Sequence, residues 1–401
     1  MLRTGLLSLG CWTAKALAQS QDYTQYVNLF LGTENGGNMF PGVVSEPHAM
    51  VKLGPDVADG ETDAYSGYLP DPGKIFGFSM LHESGTGGAP KYGIVSQMPA
   101  TGKVSNPLLD LSQSRIANDS AEVGYYKSEL ENKITIEVAA TAHAGLYAYT
   151  FPEGENAVVV DVSHVLPSFR GLGWGQGYAG GSFGLTEDGY QGHGIYNNGW
   201  NIAPDYPVYF CGHFDHPIES KRTFAGDNET LDSYGDETST NGTYRQGGVF
   251  TFNEQNVVSR VGVSFVSVEK ACSNVESEIP KGTELEKLVQ NAQERWNAEV
   301  LQKFTTTETN ETTLTQLYSY LYGMSLLPSN RTGENPGWTS KSPYYDDFFT
   351  LWDLFRCSTA LWQVVQPQAY EEIIQGLIDI WRHEGWLPDA RSSNFNGATQ
   401  G

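Results

Sequence analysis

Two runs decide the fold class: Val261-Gly-Val-Ser-Phe-Val-Ser-Val268 and, after a polar interval, Leu285-Glu-Lys-Leu-Val-Gln-Asn-Ala-Gln-Glu-Arg-Trp296. In the first, Val261, Val263 and Phe265 fall on alternate positions, the period of a strand with one face buried. In the second, Leu285, Leu288, Val289, Ala292 and Trp296 recur at three- and four-residue intervals, the period of an amphipathic helix. The change of period divides the chain into a strand-forming part and a helix-forming part.

Toward the N-terminus, over 26–268, short β-rich runs recur between Gly, Pro, Asn and Asp clusters. They include Ile134-Thr-Ile-Glu-Val138, Leu146-Tyr-Ala-Tyr-Thr-Phe151, Val158-Val-Val-Asp-Val162 and Val208-Tyr-Phe210. Such spacing predicts a large antiparallel sandwich. Toward the C-terminus, Leu314, Leu317, Tyr318 and Leu321 mark a second helix, and two more are predicted over 347–365 and 369–383, with Pro367 between them. The fold class is therefore α+β and multidomain. The chain closes on a polar loop, 392–401, that leads to no further element. Either that tail packs elsewhere or the chain is a piece of something longer.

Forty-seven acidic against 24 basic residues give a net charge of −23, which repels phosphate backbones and excludes nucleic acid as the ligand. Arg3, the apolar run Leu6 to Trp12 and Ala16-Leu17-Ala18 read as a signal peptide over 1–18, hence secretion. Lys15 interrupts the apolar run and leaves a short membrane anchor or a mitochondrial presequence as alternatives. Five Asn-x-Ser/Thr acceptors, Asn118, Asn228, Asn241, Asn310 and Asn330, support export and are candidate glycosylation sites. After loss of Cys11 with the signal, Cys211, Cys272 and Cys357 permit at most one disulfide and one free thiol; no pair has zinc-ribbon spacing, and most are expected to be small buried hydrophobes.

Three catalytic strings fail on context. Gly180-Gly-Ser182-Phe-Gly184 matches a nucleophile elbow but no helix-forming sequence follows it. Gly175-Gln-Gly177-Tyr-Ala-Gly180 matches a dinucleotide fingerprint without its helix and reads as a loop. His383-Glu384 begins like a zinc-protease helix, yet Leu387 stands where the second His belongs.

The remaining chemistry suits sugars, which are held by carboxylates and Arg bonded to hydroxyls beside aromatic faces. Tyr344-Tyr-Asp-Asp-Phe-Phe-Thr-Leu-Trp-Asp-Leu-Phe-Arg356 has this composition, and Asp353 and Arg356 share one helix face. The same pair reads equally as a structural ion pair, with Trp352 and Phe355 as core. Trp386-Leu-Pro-Asp389-Ala-Arg391 is either a binding lip or a salt-bridged turn.

Taken in order, several stretches resemble glycoside hydrolase family 92, the calcium-dependent exo-acting α-mannosidases. They are Tyr26-Val-Asn-Leu-Phe-Leu-Gly-Thr33, Gly37-Asn-Met-Phe-Pro-Gly42, Lys52-Leu-Gly-Pro-Asp56, Gly77-Phe-Ser-Met-Leu-His-Glu-Ser-Gly-Thr-Gly87, Gly124-Tyr-Tyr126, Tyr149-Thr-Phe-Pro152, Ser264-Phe-Val-Ser267, Leu351-Trp-Asp-Leu-Phe-Arg356 and Gly385-Trp-Leu-Pro388. The resemblance implies an N-terminal β-sandwich packed on an (α/α)6 barrel with a mannose pocket between them. On that pattern 1–18 is the signal peptide, 19–275 the β-sandwich domain, 276–310 a helical linker and 311–401 the start of an incomplete, truncated barrel.

The implied activity is that of a secreted α-1,2-mannosidase-like hydrolase. It would remove terminal α-mannosyl residues from N-glycan or mannan glycans by a calcium-assisted inverting mechanism, whose two carboxyl groups stand roughly 6.5–9.5 Å apart. Trp352 and Asp353 match the Trp-Asp of the family's barrel motif and are the expected contacts to the non-reducing mannose, Asp353 as acceptor. Arg391, His82 and Glu83 are further candidates, and Met80 stands where many members have His. The family's acid, base and calcium-ligand motifs lie further along than Gly401, so no catalytic residue or metal ligand is assigned. Asp346, Asp347 and Glu384 are not favoured by spacing as substitutes. The alternative is a non-catalytic mannose-binding module or an inactive fragment.

Overall fold

The computed structural model describes residues 21–33, 44–58, 67–70, 73–83, 90–167, 175–233, 235, 237–241, 244–348 and 350–397. The expected signal peptide, with Cys11, lies outside the described residues.

Strand-forming sequence folds into two antiparallel sheets. One has seven strands in the spatial order Gly54–Ala58, Lys74–His82, Tyr92–Thr101, Asn156–Asp161, Arg245–Phe252, Ser220–Asp227 and Thr230–Ser233. The other has nine: Glu237–Asn241, Gln176–Leu185, Gly189–Asn198, Ala203–Phe214, Asn256–Ser264, Ala144–Thr150, Thr135–Ala140, Tyr125–Glu129 and Ser120–Glu122. Aromatic side chains fill the space between the sheets: Phe250 lies 4.9 Å from Phe214 and 5.5 Å from Tyr190, ring to ring. Gln97 crosses this core with its amide satisfied, donating to Tyr190 and Ser259 at 2.9 Å each and accepting from Tyr149 at 2.8 Å.

Most of the stretch expected as a loop, 176–180, belongs instead to strand Gln176–Leu185, paired with Gly189–Asn198 along its length and with Glu237–Asn241 over 180–184. Its successor is another strand, which confirms that neither the nucleophile elbow nor the dinucleotide turn has its helix.

The helical part starts earlier than its period suggests. Helix α1, Val268–Glu278, buries only Ala271, Asn274 and Val275, too narrow a stripe to register as periodic sequence. It lies close on strand Asn256–Ser264: a Cβ on Gly262 would meet the Ala271 carbonyl oxygen at 2.2 Å, so only glycine permits the approach. A Cys211–Cys272 disulfide staples α1 to strand Ala203–Phe214. Cys357 is exposed. The expectation of mostly buried, apolar cysteines thus gives way to one bridge and one exposed thiol.

Helices α2 (Leu285–Glu299) and α3 (Glu311–Met324) dock the helical part on the sandwich. Trp296 is fully buried, its Nε1 donating to the Ser45 carbonyl at 2.7 Å and its ring 4.1 Å from Tyr322. Tyr318 stacks on Tyr23 at 4.8 Å.

The single helix expected over 347–365 is broken into α4 (Leu351–Leu354) and α5 (Ser358–Val365). Its first turn is lost because Asp346 pairs in strand Tyr345–Asp346 with Ser329–Asn330, while Asp347 takes φ +61. Helix α6, Pro367–Glu384, starts on the proline, whose missing N–H costs nothing in a first turn, and ends at Gly385 with φ +88. Tyr345, Phe348, Trp362 and Ile373 form a small core beneath these helices. No helix among the described residues is long and apolar enough to cross a membrane.

Candidate functional site

Where the sandwich meets the helices, a group of charged side chains is buried. Arg331 follows strand Ser329–Asn330 and reaches both aspartates, with Nη1 3.1 Å from Asp346 and Nη2 2.7 Å from Asp347. Arg391 opens the two-residue strand Arg391–Ser392. It donates to Glu384 at 2.7 Å, Asn396 at 2.9 Å and Tyr344 at 3.2 Å, and its Nε lies 3.3 Å from Asp346 Oδ1. Glu83, just past strand Lys74–His82, accepts from Ser392 Oγ. Lys91 donates to Asn201 at 2.8 Å, and Lys52 to Ser329 at 2.8 Å.

All of these charged side chains are buried except Glu384, which is half-buried. Burial, with the neighbouring Asp347 charge, raises the Glu83 carboxyl well above its ordinary value. Asp347 is pushed up by burial, but Arg331 and Lys52 outweigh that and hold it well below the usual range. Burial pushes Lys91 and Lys52 down to about 8. Such a group is costly to desolvate, and apolar residues of similar volume would serve stability as well or better. Packing alone does not explain it.

His82 does not join this group as a free ligand. Its Nδ1 lies 2.7 Å from the Lys52 carbonyl and its Nε2 2.6 Å from Asp56, so both ring nitrogens are used inside the sandwich. His164 Nε2 lies 2.6 Å from the other Asp56 oxygen. Glu83 and Arg391 sit within the buried group.

Trp352 and Asp353 stand apart from the buried charges, on the short α4. Asp353 faces Arg356 Nε at 3.6 Å, with side chains 59% and 68% exposed, so the shared helix face is real but the pair is open to solvent. The two candidate segments are adjacent: Leu351 N donates to the Asp389 carbonyl at 2.9 Å and Arg391 N to the Phe348 carbonyl at 2.7 Å. Of the two readings of 386–391, Arg391 makes the salt-bridged turn, while Trp386 stays 62% exposed beside it.

Sequence reasoning missed Tyr92, Lys91 and Arg331. Arg331 lies in a sequon and Tyr92 in a strand, and neither position has a periodic or motif signal.

Calcium finds no fitting ligands here. Among the described residues no group of three or more His, Cys, Asp or Glu side chains is arranged to hold a metal ion. The densest carboxylates, Asp346 and Asp347, are already bonded to arginine.

Asn118, Asn228 and Asn310 are exposed. Asn330 is half-buried and its Nδ2, the atom a glycan would take, donates to Tyr345 at 3.2 Å. The side chain of Asn241 lies outside what the structure describes.

Residues 26–264 match the glycosyl hydrolase family 92 N-terminal domain, and residues 270–401 match the catalytic domain of the same family. The chain belongs to glycosyl hydrolase family 92. A family 92 reading agrees with the fold: a GH92 α-mannosidase of Bacteroides thetaiotaomicron superposes with a TM-score of 0.82 at 22% identity, over 95% of this chain and 52% of that one. That enzyme has also been solved with mannoimidazole. A GH92 inverting mannosidase of the same organism gives a TM-score of 0.78 at 21% identity, over 95% of this chain and 51% of that one. A relative in Arthroderma benhamiae, described as a secreted glycosidase, is 29% identical over 424 residues, 98% of this chain and 50% of the relative. The chain spans about half the length of the relatives it matches. The α+β architecture of antiparallel sheets followed by helices is thus the family 92 fold.

Proposed function

We propose that this chain supplies the sandwich and first barrel helices, 311–401, of a secreted exo-α-mannosidase. It would act on terminal α-mannosyl residues of N-glycan or mannan glycans by an inverting displacement. The observation that carries this reading is the match of both family domains, in order, along nearly all of 26–401. Secretion is supported by the description of the fungal relative and by a disulfide suited to an oxidising compartment.

In this reading Trp352 packs against the non-reducing mannose and Asp353 accepts a hydrogen bond from one of its hydroxyls. Arg391 and Glu83 position the segments around them. His82 holds the sandwich edge next to Glu83 through Asp56. Among the described residues no group of His, Cys, Asp or Glu side chains is arranged to hold the calcium expected from the family.

A mannose-binding module without hydrolysis is the second reading. Its support is that the junction carboxylates Asp346 and Asp347 are both held in ion pairs with arginine, which ties up the charge a general base would use.

The test is proton NMR of α-1,2-mannobiose with the secreted chain, first with calcium and then with a chelator. The expected first product is β-mannose. Binding without release would select the module, and neither binding nor release by the folded chain would reject both.

A further inference from the structure

Tyr92 opens a sandwich strand, yet its hydroxyl joins parts of the helical region 239 to 301 residues away. It donates to Asp347 Oδ1 at 3.0 Å, accepts from Arg331 Nη2 at 2.6 Å and accepts from the Ser393 backbone N–H at 3.1 Å. The ring is fully buried and packs edge-on to Tyr206, with centroids 6.4 Å apart.

The backbone here is unusual. Tyr92 has φ +66, Asp347 +61, Ser393 +50 and Asn394 +70, four of the ten non-glycine residues with positive φ among the described residues. For a bulky side chain that conformation costs free energy and persists only where the surroundings over-determine it. Three of the four meet at the Tyr92 hydroxyl, and Asn394 follows directly.

One joined segment leads into the sugar contacts argued above, and the other carries the positioning residue Arg391. Asp347 lies just before α4 with Trp352 and Asp353, and Ser393 lies two residues past Arg391. Helix α4 has four residues, no side-chain cap and no buried residue, so it cannot hold its own place. Its neighbours tie it to 389–391, and Tyr92 ties both segments to the sandwich.

We propose that Tyr92 is a positioning residue for the sugar site: its hydroxyl sets 347–356 and 391–394 against the sandwich so that Trp352 and Asp353 are presented to the ligand. The proposal rests on the mannosidase reading for the identity of that ligand and for Trp352 and Asp353 as its contacts.

Tyr92→Phe tests it, because the substitution keeps the ring and its packing and removes only the hydroxyl. Hydrogen exchange read by mass spectrometry should quicken about tenfold in peptides covering 347–356 and 391–397, with strand Asn156–Asp161 and helix α2 unchanged. Mannoimidazole should bind about tenfold more weakly. Unchanged exchange in the two segments overturns the proposal, and so does exchange that rises equally everywhere, which would mark a purely structural role. Faster local exchange with undiminished affinity overturns it as well. If the wild-type chain binds no mannoimidazole, the sugar reading fails separately, and local exchange still decides whether Tyr92 positions these segments.

Discussion

Replacing Asp353 by Ala should separate recognition from stability. The Asp353 side chain is 59% exposed and its charged partner Arg356, at 3.6 Å, is 68% exposed. A pair so solvated and so long contributes about 0–0.5 kcal/mol, and Ala is the better helix former by a similar amount. The thermal midpoint should therefore stay within about 2 °C of wild type. On the ligand side, a carboxylate that accepts from a sugar hydroxyl contributes about 1.5–3 kcal/mol. Affinity for mannoimidazole should then fall roughly ten- to 150-fold, with Asp353→Asn in between because it keeps one acceptor oxygen. Isothermal titration calorimetry at pH 7 beside thermal unfolding measures both quantities on one sample. Unchanged affinity in a stable variant would make Asp353 an ordinary surface residue. A midpoint lower by more than about 5 °C would show that α4 depends on it structurally, and the solvated geometry would have been misread.

Three further outcomes follow from the same structure. The Cys211–Cys272 bridge closes a separation of 61 residues, so the Cys211→Ser, Cys272→Ser double variant should lose about 4 kcal/mol by loop-closure entropy, read as a lower urea midpoint; a loss under about 1 kcal/mol would contradict it. Burial and Asp347 raise the folded Glu83 titration above its unfolded value, so its contribution is whole below the ordinary carboxyl range and is lost as pH rises through the folded value. Between about pH 5 and 7, below the value of about 8 for Lys52 and Lys91, wild-type stability should decline more steeply than that of Glu83→Gln, and equal slopes would count against a protonated Glu83. Peptide mapping of chain secreted from a eukaryotic host should find glycan on Asn118, Asn228 and Asn310 but not on Asn330, whose amide is held by Tyr345; full occupancy at Asn330 would refute that geometry.

The division into sandwich and helices was legible because periodicity is local: Val261 to Phe265 and Leu285 to Trp296 state their own periods without reference to the rest of the chain. Pro367 likewise marked the boundary before α6, although the helix starts on the proline itself and runs to Glu384, slightly beyond the expected 369–383 at both ends. Helix α1 was not legible, since its narrow buried stripe and the close approach at Gly262 matter only against a strand already in place. Nor was the break in 347–365, where Asp346 and Asp347 leave helical geometry to meet Arg331.

The candidate site divides in the same way. Sequence alone named Trp352, Asp353, Arg391, His82 and Glu83 by composition and resemblance. Tertiary structure decided that His82 is occupied by Asp56, that Asp353 is solvated, and that Tyr92 and Arg331 bind the two candidate segments together. Periodicity and capping act between residues within a turn or two and leave a trace in local sequence. A hydroxyl that joins residues 301 positions apart leaves none, because its partners are chosen by the packing of whole sheets and helices.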